Sequence, residues 1–197
     1  MRRATVIIVA FILASVAGAA GLGASSRHDA VARFSARSVQ LVSPARPLFT
    51  RVDIEIGQWS TDLDHRMLAM AIYEQGPMEF SHTLAGYPKL GTITVGDREF
   101  FIRYAWQAFD RDGGQRIYVA SDEPIQLTSR EFRKSADPDP LVFLELRLNA
   151  RGDGMGKLSD AVRLSVDESR NVIEMREWDR RPLHLVMVHD ELNQGVL

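Results

Sequence analysis

The stretch QWSTDLDHRMLAMAI, from Gln58 to Ile72, brings two carboxylates and an imidazole together at Asp62, Asp64 and His65. Three residues apart on a helix, Asp62 and His65 project to the same side, a spacing that could serve proton transfer or hold a metal ion. Two ligands do not complete a site: catalytic zinc usually takes three protein ligands, and neither Leu68 nor Ala69 supplies one. A plainer account covers the same residues. Thr61 can cap the helix with its hydroxyl, Asp64 three residues on completes a capping box, and both acids sit where the helix dipole favours negative charge. On that account His65 is an exposed polar residue. No catalytic residue is assigned, and Asp62 and His65 are the candidates left open.

Elsewhere the chemistry-bearing residues do not group. His184 and His189 flank LVMV at an odd offset, which sends them to opposite faces of a strand so that they cannot chelate from one, and His28 and His82 have no obvious company. No metal site and no cofactor are expected. GDGMGKLS sets Gly152, Gly154 and Gly156 ahead of Lys157, but a Walker-type phosphate loop needs Ser or Thr directly after the lysine and a helix beyond. Leu158 follows instead, and LSDAVRLSV alternates like a strand, so the glycines are read as a wide turn or bulge. Asn149 and Asp153 lack the ligand spacing of a calcium loop. There is no Gly-x-Ser-x-Gly elbow, so Ser60 and Ser159 could act only in another kind of hydrolase. Glu145 with Arg147, Arg163 with Ser165, and Glu174 with Arg176 lie on the polar sides of their strands. They are expected to line up across a meander as ion pairs on a solvated face rather than as a charged binding face.

The elements that would position these residues are mostly strands. Val31 to Val42 can make a first strand, Ser43 to Pro47 a connector, and Val52, Ile54 and Ile56 alternate with Arg51, Asp53 and Glu55 in the period of a half-buried strand. The period then changes. Leu63, Met67, Met70 and Ala71, widened by Leu68 and Ile72, give the apolar side of a helix ending near Glu74 or Gln75. Gly76-Pro77 breaks it, and Pro77 suits the start of a second short helix over Met78 to Leu84. GTITV, FFIRYAWQAF, QRIYVAS, LVFLELRLN, GKLSDAVRLSV, NVIEMREW and PLHLVMV follow as strands, the last four joined as an antiparallel meander, with SREFRKSADPDP a polar excursion before LVFLELRLN. With DRDGG centred on Asp112-Gly113 or Gly113-Gly114, Tyr104, Trp106 and Ala108 share a core face with Ile117 and Val119. These patterns predict a mainly β chain: an antiparallel β-sandwich or partly open barrel of about eight or nine strands, with a short helical insertion over residues 62–85.

MRRATVIIVAFILASVAGAAG opens with two arginines, runs apolar from Ala4 to Val16 and closes on small residues, the pattern of an export signal with cleavage near Ala19. Left uncleaved, the segment would be a membrane anchor. The reading is a leader over 1–19, a flexible N-terminus over 20–30, one domain over 31–190 and a tail over 191–197, with a mature protein that is periplasmic or secreted. His189-Asp190-Glu191-Leu192 spells a retention signal, but such signals are read at a free C-terminus and Asn193 to Leu197 follow. No cysteine occurs, so disulfides and thiol chemistry are excluded. The formal charge is −2, and losing Arg2 and Arg3 with the leader takes it to about −4, no basis for a nucleic-acid partner.

Four segments, VDIEIGQWSTD, FIRYAWQAFDRDGGQRIYVASDEPI, LVFLELRLNARGDGMGKLS and NVIEMREW, resemble in order a family of small exported bacterial proteins whose function is uncharacterised. The more specific elements are Trp59-Ser60-Thr61-Asp62, Asp112-Gly113-Gly114 with RIYVASDEPI, LELRLN, and Gly156-Lys157-Leu158-Ser159; Ser129 to Pro140 departs most. The resemblance implies export and a compact β-rich domain, and it brings no catalytic residues. The function expected is non-enzymatic binding of a protein or small-molecule ligand. One alternative is a carrier of an apolar ligand lined by Tyr104, Trp106, Met67 and Met70; another is a hydrolase or metal-dependent enzyme.

Overall fold

The computed structural model describes residues 30–43, 46–123, 141–159, 162–178 and 182–193. The leader, the polar excursion before LVFLELRLN and the end of the tail lie outside them. The elements in chain order are β1 (Ala32–Ser43), β2 (Arg46–Ile56), α1 (Asp62–Gln75), α2 (Pro77–Ala85), β3 (Gly91–Val95), β4 (Arg98–Ile102), β5 (Tyr104–Phe109), β6 (Gln115–Ser121), β7 (Val142–Leu148), β8 (Asp153–Ser159), β9 (Val162–Asp167), β10 (Val172–Trp178) and β11 (Leu183–Asp190).

Nine strands form one antiparallel sheet in the order β4-β3-β2-β1-β11-β8-β7-β6-β5, nearly closed into a barrel; β9 and β10 form a separate two-stranded ribbon. The alternation in β2 works as read: Val52, Ile54 and Ile56 face inward and are fully buried, with Phe34, Ile93, Ile102, Ile117, Val119, Leu144 and Leu146 filling the same interior. Each such side chain contributes about 1.5–3 kcal/mol on burial. In the β3–β4 hairpin Val95 pairs with Arg98 across Gly96-Asp97, and Gly96 at φ 64 supplies the left-handed backbone a two-residue loop needs.

FFIRYAWQAF is two strands rather than one. Arg103 separates β4 from β5, the two edges of the sheet, because the chain turns a corner there. Its guanidinium donates to the Tyr87 carbonyl at 2.6 Å and lies 2.7 Å from Asp122, which fixes the corner. The seam is bridged by the residues before α1 together with Leu90, which follows α2. Gly57 N–H donates to the Leu90 carbonyl, Leu90 N–H donates to that of Ile102, and Ser60 N–H donates to that of Ala105 at 2.8 Å.

The β5–β6 facing expected from the sequence is off by one residue. The loop holds five residues, Asp110 to Gly114, so Phe109 pairs with Gln115 and Trp106 with Tyr118. Tyr104, Trp106 and Ala108 therefore share a face with Ala120, Tyr118 and Arg116, while Ala105 and Gln107 stand with Val119 and Ile117. The connector after β1 is also shorter than expected, since β2 already includes Arg46 and Pro47.

The four-strand meander does not form either. GDGMG lies mostly inside β8, GKLSDAVRLSV divides into β8 and β9, and β11 returns to pair with β8 while β9 and β10 leave the sheet. Arg163, Ser165 and Glu174 are thus on the ribbon and do not continue the Glu145 and Arg147 row. The ribbon and both helices cover the outer face of β5, β6 and β7. There Leu68, Ile72, Phe80 and Leu84 meet Tyr104, Tyr118, Phe143, Leu164, Val172 and Ile173 in a second core.

α1 buries a different side from the one expected. Leu68, Ala71 and Ile72 are inside, but Leu63, Met67 and Met70 are half or more exposed. The buried stripe starts from His65, at the i, i+3 and i+7 spacing of a helix face. Met67 and Met70 therefore do not join Tyr104 in lining an interior.

Candidate functional site

Thr61 caps α1, with its hydroxyl accepting from Asp64 N–H at 3.2 Å and its own N–H donating to the Asp64 carboxylate at 3.1 Å. The capping box read from the sequence is present. Thr61→Ala is expected to cost about 0.5–2 kcal/mol in a denaturant melt, since helix N–H groups lose their acceptor, and Asp62→Asn less.

His65 is not the exposed residue expected, being 1 % accessible. Its Nδ1 is 2.8 Å from the Tyr104 hydroxyl, and its ring stacks on Trp106 at 4.1 Å between centroids and 11° between planes. Trp106 Nε1–H donates to the Asn171 carbonyl at 3.1 Å. Asn171 is delivered by the β9–β10 turn, where it stands at φ 51. Asp167 organises that turn: its carboxylate accepts from the Ser169 hydroxyl and N–H and from Arg170, which holds its pKa down at about 2.

Burial lowers the pKa of His65, against weaker upward pulls from the Asn171 side chain and the charge of Asp62. Burial raises that of Tyr104 well above the ordinary tyrosine value. The neutral Tyr104 hydroxyl can donate to Nδ1, placing the imidazole proton on Nε2. The Asn171 side chain acts on the ring, yet Nε2 is buried and makes no well-formed hydrogen bond. Asp62 stays exposed on the first turn and acts on His65 as a charge only. An imidazole enclosed by Tyr104 and Trp106 ties α1 to β5 and offers no proton relay to solvent.

The Ser60 hydroxyl accepts from Ala105 N–H at 3.1 Å in the seam, and Ser159 is buried. Lys157 and Leu158 lie within β8, with no helix after them. Among the described residues no three His, Asp or Glu side chains stand close enough to hold a metal ion.

β11 changes the histidine parity. Its register slips between Leu185 and Val188 against β8, opposite a matching slip between Ser35 and Arg37 against β1. Met187 occupies the bulge at φ 52 and is 71 % exposed. Leu185 and Val188 both face inward, so His184 and His189 share the outer face after all. His189 Nδ1 lies 2.9 Å from Asp153, and His184 stands opposite Lys157.

The bulge also opens a groove of about 500 Å³ on the outer face of β1, β2 and β11, lined by Ser35, Arg37, Phe49, Arg51, Met187 and Glu191 among others. Arg37 and Arg51 are directly opposite across β1 and β2, where like charges repel. Arg51 donates through Nε to both oxygens of Asp53, at 2.9 and 2.7 Å, which raises its pKa further. Arg37 has no such partner among the described residues. Phe49 and Met187 expose apolar surface beside it. The groove can pack an apolar group and pair an anionic one. Comparison with family models, curated proteins and solved structures finds no match for this chain.

Proposed function

We propose that the chain is an exported, non-enzymatic binding protein whose ligand lies in the groove over β1, β2 and β11. The observation that carries this reading is Met187. A non-glycine residue in the left-handed region costs about 1–3 kcal/mol and is retained where its surroundings or its use demand it. Bulges commonly re-aim a side chain at such places, and here the strained methionine projects beside Phe49 and Arg37, which has no ion-pair partner among the described residues. The helices and ribbon leave this side of the sheet uncovered. Export is supported by the leader pattern and by the resemblance.

The test is purification of the exported protein with mass spectrometry of its N-terminus and of co-purifying molecules. The mature chain is expected to start between Ala20 and Ser25, with a bound species present in the wild type and lost in Arg37→Glu. Met187→Gly should melt at or above the wild-type temperature while holding less ligand, because glycine relieves the φ strain and removes the contact. A chain beginning at Met1 would make the segment an anchor. Identical co-purifying species in all three proteins, or none in any, would overturn the groove.

A further inference from the structure

α1 has apolar side chains on two opposite sides. His65, Leu68 and Ile72 face the sheet, whereas Leu63, Met67 and Met70 run down the opposite side at i, i+4 and i+7, with Tyr73 beside them. Their exposures are 61, 50, 52 and 80 %. Four such side chains on one helix present on the order of 400 Å² of apolar surface, in the range of patches that mark interaction sites on monomers. A helix apolar on both sides is a helix expected to be covered on both sides.

The charges on the stripe say what covers it. Glu74 lies in the last turn, where the helix's own dipole disfavours a carboxylate and no basic residue offsets it. Arg66, two turns earlier on the same exposed side, likewise has no ion-pair partner among the described residues. Eight residues apart, the two cannot reach each other within one helix. An antiparallel copy of α1 centred on Met70 brings them together: Glu74 of each copy falls opposite Arg66 of the other, Met67 opposite Tyr73, and Met70 on Met70. One self-complementary patch with two symmetric ion pairs is the form a two-fold interface takes.

We propose that α1 is a homodimer interface, two copies packing antiparallel about Met70 through Leu63, Met67, Met70 and Tyr73 with reciprocal Arg66–Glu74 pairs. The patch is about half the ~800 Å² per partner of a standard interface, so the dimer forms in roughly the micromolar range or above. It lies on the helix-covered side of the barrel, away from the groove, and does not depend on the groove's ligand.

Sedimentation velocity of the mature protein from about 5 to 500 µM is expected to show a monomer giving way to a dimer. Arg66→Glu and Glu74→Arg should each raise the dissociation constant at least tenfold, and the double variant should return it to within about threefold of wild type. Because the natural chain has no cysteine, Met70→Cys should give a disulfide-linked dimer on mild oxidation and Leu63→Cys should not. All four positions are exposed, and circular dichroism checks that each variant keeps its fold. A monomer throughout the range, a dimer indifferent to both charge reversals, or a double variant no better than the singles would overturn the proposal. So would a protein that stays monomeric but floats with phosphatidylcholine vesicles until Met67→Glu releases it, since lipid would then be the occupant.

Discussion

Gly154→Ala is expected to destabilise the protein by about 3 kcal/mol or more, although it adds a single methyl group. A Cβ at this position would overlap the Arg147 carbonyl oxygen, with the Arg147 carbonyl carbon at 2.8 Å and Leu148 Cα at 3.0 Å. All three are backbone atoms of β7, which is paired on its two sides by β6 and β8. Overpacking commonly costs about 1–3 kcal/mol when side chains can shift. Here relief requires moving a strand, and both ladders beside it with it. The neighbouring Met155→Ala, on an exposed side chain, should stay within about 0.5 kcal/mol of wild type. Denaturant melts of the two variants make the comparison. A Gly154→Ala protein as stable as Met155→Ala would mean that β8 does not lie against β7 in this register.

That glycine shows what a sequence hides. GDGMGKLS looks like a turn because glycines are usually read as permissive backbone, and only the approach of β7 turns Gly154 into a requirement for an absent side chain. Local patterns were legible where they reported on local physics. The β2 alternation, the Thr61 capping box and the Pro77 helix start all appear as expected, since each depends on residues a few positions apart. Strand partners were not legible. Nothing in LSDAVRLSV says that the chain leaves the sheet within it, and a ribbon strand with one face in a core alternates just as a sheet strand does.

The groove was hidden for a related reason. Parity arguments assume a regular strand, and the bulge at Met187 adds a residue without any glycine or proline to announce it. That one extra residue returns His184 and His189 to a common face and aims Met187 outward. The facing error at Trp106 has the same origin: a five-residue loop in place of a two-residue one shifts every later assignment by one. α1 is the case where the signal was available and was outweighed. Leu63, Met67 and Met70 form as good a stripe as Leu68 and Ile72 do with His65, and hydrophobicity alone favours the methionines. Packing chose the stripe whose imidazole could meet Tyr104 and Trp106.

His65→Ala should therefore cost about 3 kcal/mol, where an exposed residue would cost almost nothing. The loss has two parts, a cavity against Trp106 and a Tyr104 hydroxyl left buried without a partner, each on the order of 1–3 kcal/mol. A pH series isolates the imidazole itself. In the unfolded chain His65 titrates near its ordinary value of 6.5, while in the folded protein burial lowers its pKa. Below about 6.5 the unfolded state then binds more protons than the folded state, so stability falls as the pH falls through that value and continues falling to the folded pKa. Above about 7.5 both states are neutral and the term is flat. His65→Gln removes the titration and keeps a group able to accept from Tyr104, and every other titrating group is common to the two proteins. The difference in unfolding free energy between wild type and His65→Gln should accordingly be constant above about pH 7.5 and shift against the wild type on the acid side of 6.5. Parallel curves down to pH 5 would show that the imidazole protonates as readily folded as unfolded, and would place it in water at the mouth of α1, where the sequence alone had put it.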